Sequence, residues 1–106
     1  MILSFLDEAI SEVADSTAWF DRQAQGLGAE FRKEFEQSLE SIIAAPESFA
    51  RFEFLSARRG KNVRRAVTSR FSHVIVFDVR DAEIVIVAVY HSSRRPNYWM
   101  RRLGRK

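Results

Sequence analysis

At 106 residues, with 46% apolar and 29% charged side chains and a formal charge of +3, the chain has the composition of one globular domain with a single core, not of a disordered tail. It holds no cysteine and two histidines. This excludes a disulfide framework, thiolate chemistry and a multi-His or Cys/His metal centre, and no carboxylate spacing argues for an acidic one, so neither metal nor cofactor is expected.

The longest uninterrupted apolar run, Ile84–Tyr90, is far too short to span a bilayer. The N-terminus turns acidic at Asp7-Glu8 and has no basic lead, so no secretory signal is expected and a reducing cytoplasm fits. The charge is split along the chain. Residues 1–50 hold ten Asp/Glu and three Lys/Arg, and residues 51–106 hold four and fourteen, giving −7 and +10. That split reads either as a basic working surface aimed at an acidic partner, or as acidic helix faces combined with protective arginines on sheet edges.

In chain order, Ile2–Leu6 reads as a short strand. A helix over about 7–25 follows, with Ile10, Val13, Ala14, Thr17, Phe20 and Ala24 on one face and Asp7, Glu8 and Glu12 near its start, where the helix dipole favours acids. Gly26-Leu27-Gly28 ends it and opens a second helix over about 29–45, striped by Phe31, Phe35, Leu39 and Ile42 and stopped by Pro46. Residues 46–62 read either as a loop folded onto the core or as a poor strand, with Arg58-Arg59-Gly60-Lys61-Asn62 as a basic turn. Three strands follow, Val63–Phe71, Val74–Arg80 and Glu83–Tyr90. Asp81-Ala82 makes a tight turn that pairs the last two as a hairpin. Pro96 opens a short final helix through Leu103. The expected fold is α+β, in the order β-α-α-β-β-β. A helix hairpin packs on one face of a small, mostly antiparallel sheet and leaves the other face partly open.

Strand alternation puts Val63, Arg65, Val67, Ser69 and Phe71 on one face and Arg64, Ala66, Thr68 and Arg70 on the other. The face with Phe71 is expected to meet the helices, so Arg64 and Arg70 act together while Arg65 points away. The richest stretch is the chain end, where the last strand runs into His91, Arg94, Arg95, Tyr98 and Trp99. A rigid strand with an exposed exit is a place where sites are built. Each of these residues also has a purely structural reading. His91 caps the strand end. Arg94 pairs with Asp78, Asp81 or Glu83. Trp99 anchors the last segment, as Tyr98 also can. His73 lies solvated in a turn, and Trp19 lies at the edge of the first helix, toward a partner.

The order of elements and three patches of sequence resemble the RelE/ParE superfamily of bacterial toxins. The patches are Glu8-Ala9 through Gly26-Leu27-Gly28 and Phe31; Pro46-Glu47-Ser48-Phe49; and Arg64-Arg65-Ala66 through Val74-Ile75-Val76-Phe77, then Val87-Ala88-Val89-Tyr90-His91 and Arg94-Arg95-Pro96-Asn97-Tyr98-Trp99. Leu6-Asp7, Ser72-His73 and Arg95 depart from the family pattern, and Arg95 adds positive charge beside the strand exit.

The resemblance implies the toxin of a type II toxin–antitoxin pair, in one of two forms. ParE-like members bind DNA gyrase, whereas RelE-like members cleave mRNA on the ribosome. The scarcity of lysine (Lys33, Lys61 and Lys106) and the Arg95-Pro96-x-x-Trp99 ending favour the ParE-like branch. Partner-binding residues would then be Trp19, Arg64, Arg70, Arg94, Arg95, Tyr98 and Trp99. In the nuclease alternative Arg64, Arg70 and Arg94 hold the phosphate, and His91 and Tyr98 move protons. A third form is a degenerate toxin that only binds its antitoxin. All three imply a small antitoxin whose disordered acidic segment folds on the toxin.

Overall fold

In a computed structural model, which describes residues 1–55 and 61–104, the chain forms β1 (Ile2–Phe5), α1 (Asp7–Gln23), α2 (Leu27–Ala44), β2 (Ala50–Arg51), β3 (Val63–Val67), β4 (His73–Val79) and β5 (Glu83–His91). Short 3-10 turns follow α2 at Pro46–Ser48 and close the chain at Met100–Gly104. The sheet order is β1-β5-β4-β3-β2. β1 runs parallel to β5 and every other neighbouring pair is antiparallel. The α+β expectation holds, with one added strand: the ambiguous stretch after Pro46 contributes the two-residue edge strand β2. The basic turn expected at residues 58–62 lies largely outside the described residues.

Both helices start without a side-chain cap. Asp7 and Glu8 in the first turn of α1 compensate by meeting the positive end of its dipole. Gly26 adopts φ +87° at the hinge, a left-handed conformation that costs other residues energy. Gly28 sits where the helices nearly touch. Its N–H donates to Asp21 Oδ1 at 2.8 Å, and a β-carbon there would lie 2.5 Å from the Thr17 carbonyl oxygen.

The helix hairpin covers one sheet face. Ala9, Val13, Phe31, Phe35 and Ile42 meet Ala66, Ile75, Phe77, Ile84, Ile86 and Val89. The other face is not open. Trp99 and Leu103 from the C-terminal segment, with Phe52 and Leu55, cover Val63, Val74, Val76, Val85, Val87 and Ala88. Trp99 is fully buried and meets Phe52 edge to face. The segment after Pro96 does not run straight into a helix, because Asn97 takes φ +64° and turns the chain before the 3-10 turn.

β3 ends four residues earlier than its alternation suggests. The Glu34 carboxylate on α2 accepts the backbone N–H groups of Arg70 and Phe71 at 2.9 and 3.1 Å. These satisfied donors, with Ser72 at φ +52°, turn the chain before a longer strand can form. The face assignment reverses as a result: Ala66 meets the helices, Val63 meets the C-terminal segment, and Phe71 reaches the helix side only by way of the turn. A bulge opposite Val76 and Phe77 inserts Val87 as an extra residue in β5, so Val87 and Ala88 both face the C-terminal segment.

Replacing Gly28 by alanine forces a methyl group against the backbone of α1, which cannot swing aside. A loss of about 1–3 kcal/mol is expected, read as a lower urea midpoint at unchanged slope.

Candidate functional site

Where β1 gives way to α1, the outer edge of β5 loses its neighbouring strand and faces the helix instead. A groove of about 470 Å³ lies between them, walled by Asp15, Ser16, Trp19 and Phe20 of α1 and by Val89, Tyr90, His91 and Arg94 at the end of β5. Its size falls in the range of ligand sites.

Glu12 lies at its inner end. Its carboxylate accepts the Val89 N–H at 3.0 Å, two N–H groups of Arg102 at 3.0 and 3.1 Å, and the Tyr98 hydroxyl. Arg102 also donates to the Val87 carbonyl at 3.0 Å. The Glu12 and Arg102 side chains are only 12% and 9% exposed, so each charge depends on the other. Burial alone would weaken the positive charge of Arg102, but hydrogen bonding to Glu12 and its charge more than offset this and raise the guanidinium pKa. Burial, then the hydrogen bond and charge of Glu12, push the Tyr98 phenol well above its ordinary value. That hydroxyl is a held donor, not an acid for neutral pH. Arg94 lies 3.9 Å from the Glu12 carboxylate and 3.9 Å above the Tyr98 ring, with its side chain still 55% exposed.

The two histidines meet ring to ring at 5.6 Å but differ in setting. His73 is not a solvated turn residue. It opens β4 and is 3% exposed. Its Nδ1 donates to the Phe71 carbonyl at 2.8 Å, which leaves Nε2, 3.2 Å from Ser16 Oγ, to accept from that hydroxyl. Burial lowers its pKa, against the pull of the Phe71 carbonyl, and the neighbouring His91 lowers it further. His91 is exposed, with Nδ1 accepting the Ser93 N–H at 3.1 Å and lying 2.7 Å from Ser93 Oγ.

The residues singled out from sequence therefore divide. His91 and Arg94 line the groove, Tyr98 reaches only its Glu12 carboxylate, and Trp19, 51% exposed, lies on its wall. Arg64 is elsewhere and buried. Its guanidinium donates to the Glu47 and Phe49 carbonyls, to Asn62 and to the Glu47 carboxylate, and so clamps the 3-10 turn onto β3. Arg70 lies in the β3–β4 turn and pairs with Glu30 at 2.5 Å. Arg64 and Arg70 thus serve different elements and do not form the joint pair that alternation suggests. Arg94 pairs with Glu12, not with Asp78, Asp81 or Glu83; Asp78 is taken by Arg80. Arg95 is exposed and Trp99 is core.

Sequence reading missed Glu12, Ser16, His73 and Arg102. One signal was present: Glu12 and Ser16 fall at helical spacing beside Ala9, Val13 and Phe20, so two polar residues share the buried face of α1. Among the described residues no group of three or more His, Asp or Glu side chains could hold a metal ion. No helix among them is long and apolar enough to cross a membrane.

Glu12→Gln removes the counter-charge of a buried arginine. It should cost about 3–5 kcal/mol, and the double variant Glu12→Leu with Arg102→Met should recover part of that loss, as read by urea denaturation. His73 has a folded-state pKa below its ordinary 6.5. Between the two values the unfolded chain binds the proton that the folded chain excludes. Stability should therefore be complete above about pH 6.5 and fall as the pH drops below it. His73→Gln should remove that part of the slope when urea midpoints are compared between about pH 7.5 and pH 5.5.

Comparison with known proteins agrees with this architecture. The family model described as the ParE toxin of the type II toxin–antitoxin system parDE matches residues 3–96. No curated protein sequence matches the chain. Among solved structures, a chain of the "Chromosomal ParDE TA system from P. aeruginosa" aligns with a TM-score of 0.69 at 15% identity, covering 86% of this chain and 95% of that one; at that identity the likeness is one of fold. A match over nearly the whole domain, joined to the helix hairpin, the sheet order and the Arg94–Trp99 ending, places the chain in the ParE toxin family of type II toxin–antitoxin systems, the ParE-like branch of the RelE/ParE superfamily.

Proposed function

We propose that the protein inhibits growth by binding DNA gyrase in the cytoplasm, without catalysing a reaction of its own, and that a cognate antitoxin neutralises it. The observation that carries this reading is the engagement of the residues a nuclease would need. Phosphoryl chemistry asks for free cations around one phosphate and a proton donor of matched pKa. Here Arg64 is buried against Glu47, Arg70 is paired with Glu30, and the Tyr98 hydroxyl is held by Glu12 with its pKa raised. A family of toxins, a fold shared with a ParDE chain and an unassembled catalytic set together favour action by contact.

The second reading, ribosome-dependent mRNA cleavage, keeps one observation in its favour. His91, Ser93 and Arg94 are exposed together at the groove, a titrating group beside a cation.

A supercoiling assay with purified gyrase separates the two. Dose-dependent inhibition with trapped cleaved DNA, reversed by the antitoxin encoded beside the toxin, is the expected result, and His91→Ala should retain it within about threefold. A folded sample that arrests growth, leaves gyrase unaffected and loses its toxicity on His91→Ala would transfer the function to the nuclease. A folded sample that arrests nothing and still binds antitoxin would mark a degenerate toxin.

A further inference from the structure

The outer edge of β5 is capped group by group until the capping stops. Opposite Glu83, Ile2 of β1 donates its N–H to the Ala82 carbonyl, and the chain leaves the sheet after Leu6 donates to the Ile86 carbonyl. Beyond that point the Val87 carbonyl is taken by Arg102 and the Val89 N–H by Glu12. In an extended strand the N–H and C=O of one residue leave on the same side, and the residue two positions along repeats that sense. Val89 and His91 therefore both present their backbone groups toward α1. The Ser92 N–H confirms the alternation by pointing the other way, to the Ser72 carbonyl. The His91 carbonyl is occupied by the Arg94 N–H. Two groups remain without a partner among the described residues, the Val89 C=O and the His91 N–H, and both residues line the groove.

These two groups flank Tyr90, and one neighbouring strand can use both. A parallel neighbour offers the N–H and C=O of the single residue that faces Tyr90, as Ile2 does around Glu83. An antiparallel neighbour that faces Tyr90 as a non-hydrogen-bonded pair offers them from the residues on either side of the facing one. Both directions place one partner residue opposite Tyr90.

We infer that this groove receives an extended segment of the antitoxin as a short strand added to the edge of β5 beyond β1, with one acidic residue opposite Tyr90 and apolar residues on either side of it. The acid is assigned by position. The residue facing Tyr90 shares its face of the sheet, where Tyr98 meets Tyr90 and the exposed guanidinium of Arg94 lies over the Tyr98 ring. Glu12 is already matched by Arg102, which leaves Arg94 able to take a second carboxylate. The flanking side chains point to the opposite face, toward α1, where Trp19 and Phe20 form an apolar wall. Asp15 on that wall opposes any further acid there. Main-chain bonds give such a contact its affinity, and the alternating pockets give it specificity.

This inference rests on neutralisation by an antitoxin and adds where and how the antitoxin is held. The test is calorimetric titration of the toxin with the antitoxin encoded beside it, using wild type, Trp19→Ala and Arg94→Glu, each first shown to be folded by circular dichroism. NMR follows amide exchange at His91. Each variant should bind at least tenfold more weakly, Arg94→Ala should fall between wild type and Arg94→Glu, and the His91 amide should become protected on binding. Equal affinity across the variants with an unchanged His91 amide would overturn the groove while leaving neutralisation intact. An antitoxin that fails to bind wild type at all would overturn both. The gyrase assay without antitoxin reads the toxin's own activity separately.

Discussion

One carboxylate, that of Glu12, joins three parts of the fold that otherwise have little reason to stay together. It binds the free edge of β5 through the Val89 N–H, and the C-terminal segment through Tyr98 and Arg102. The need for it follows from the topology. β1 stops after four residues so that the chain can enter α1, and the longer β5 is left with backbone donors and acceptors beside a helix that has no spare backbone groups to offer. A buried donor in that position costs about 1–3 kcal/mol if it stays unpaired. A side chain from the helix can supply the acceptor, and a carboxylate supplies several lone pairs at once. Its charge then requires a buried cation, and Arg102 meets this need while bringing the Trp99–Leu103 cover with it.

The same reasoning accounts for the divided charge of the chain. Acids from the first half meet cations from the second in Glu12 with Arg102, Glu30 with Arg70 and Glu47 with Arg64. Much of the split is resolved inside the molecule, joining α1, α2 and the turn after α2 to the strands and the chain end. Neither of the two readings offered by charge alone describes this. The acidic residues are not only a solvated helix face, and the arginines do not form one continuous basic surface. Those left most exposed near the groove, Arg94 and Arg95, are the ones available to a partner.

Helices and the last two strands were legible because their signals are local. The stripe Phe31, Phe35, Leu39 and Ile42 repeats at helical spacing, and Glu83–Tyr90 is an apolar run bounded by a turn. Trp99 was readable as an anchor because a large aromatic near the end of a small domain has few other uses. The end of β3 was not legible. Its alternation continues to Phe71 on paper, but the N–H groups that would extend it are captured by Glu34, some 36 residues earlier. His73 looked like a turn residue for the same reason and proved to be buried between Ser16 and Phe71. The bulge at Val87 left no mark in an unbroken run of apolar residues, yet it changes which side every later group of β5 faces.

By itself, the sequence determined the helix hairpin on one sheet face, the last two strands, and the gathering of His91, Arg94 and Tyr98 near one strand end. These depend on periodicity and on neighbours close in the chain, whereas the family was legible only through the resemblance of three patches to known toxins. Tertiary structure alone decided which side chains are free to act. Arg64 and Tyr98 look like available functional groups until partners 17 and 86 residues away are brought against them. Hydrogen bonds and ion pairs are formed by proximity in space, and spacing along the chain carries little information about which distant acid will meet which cation.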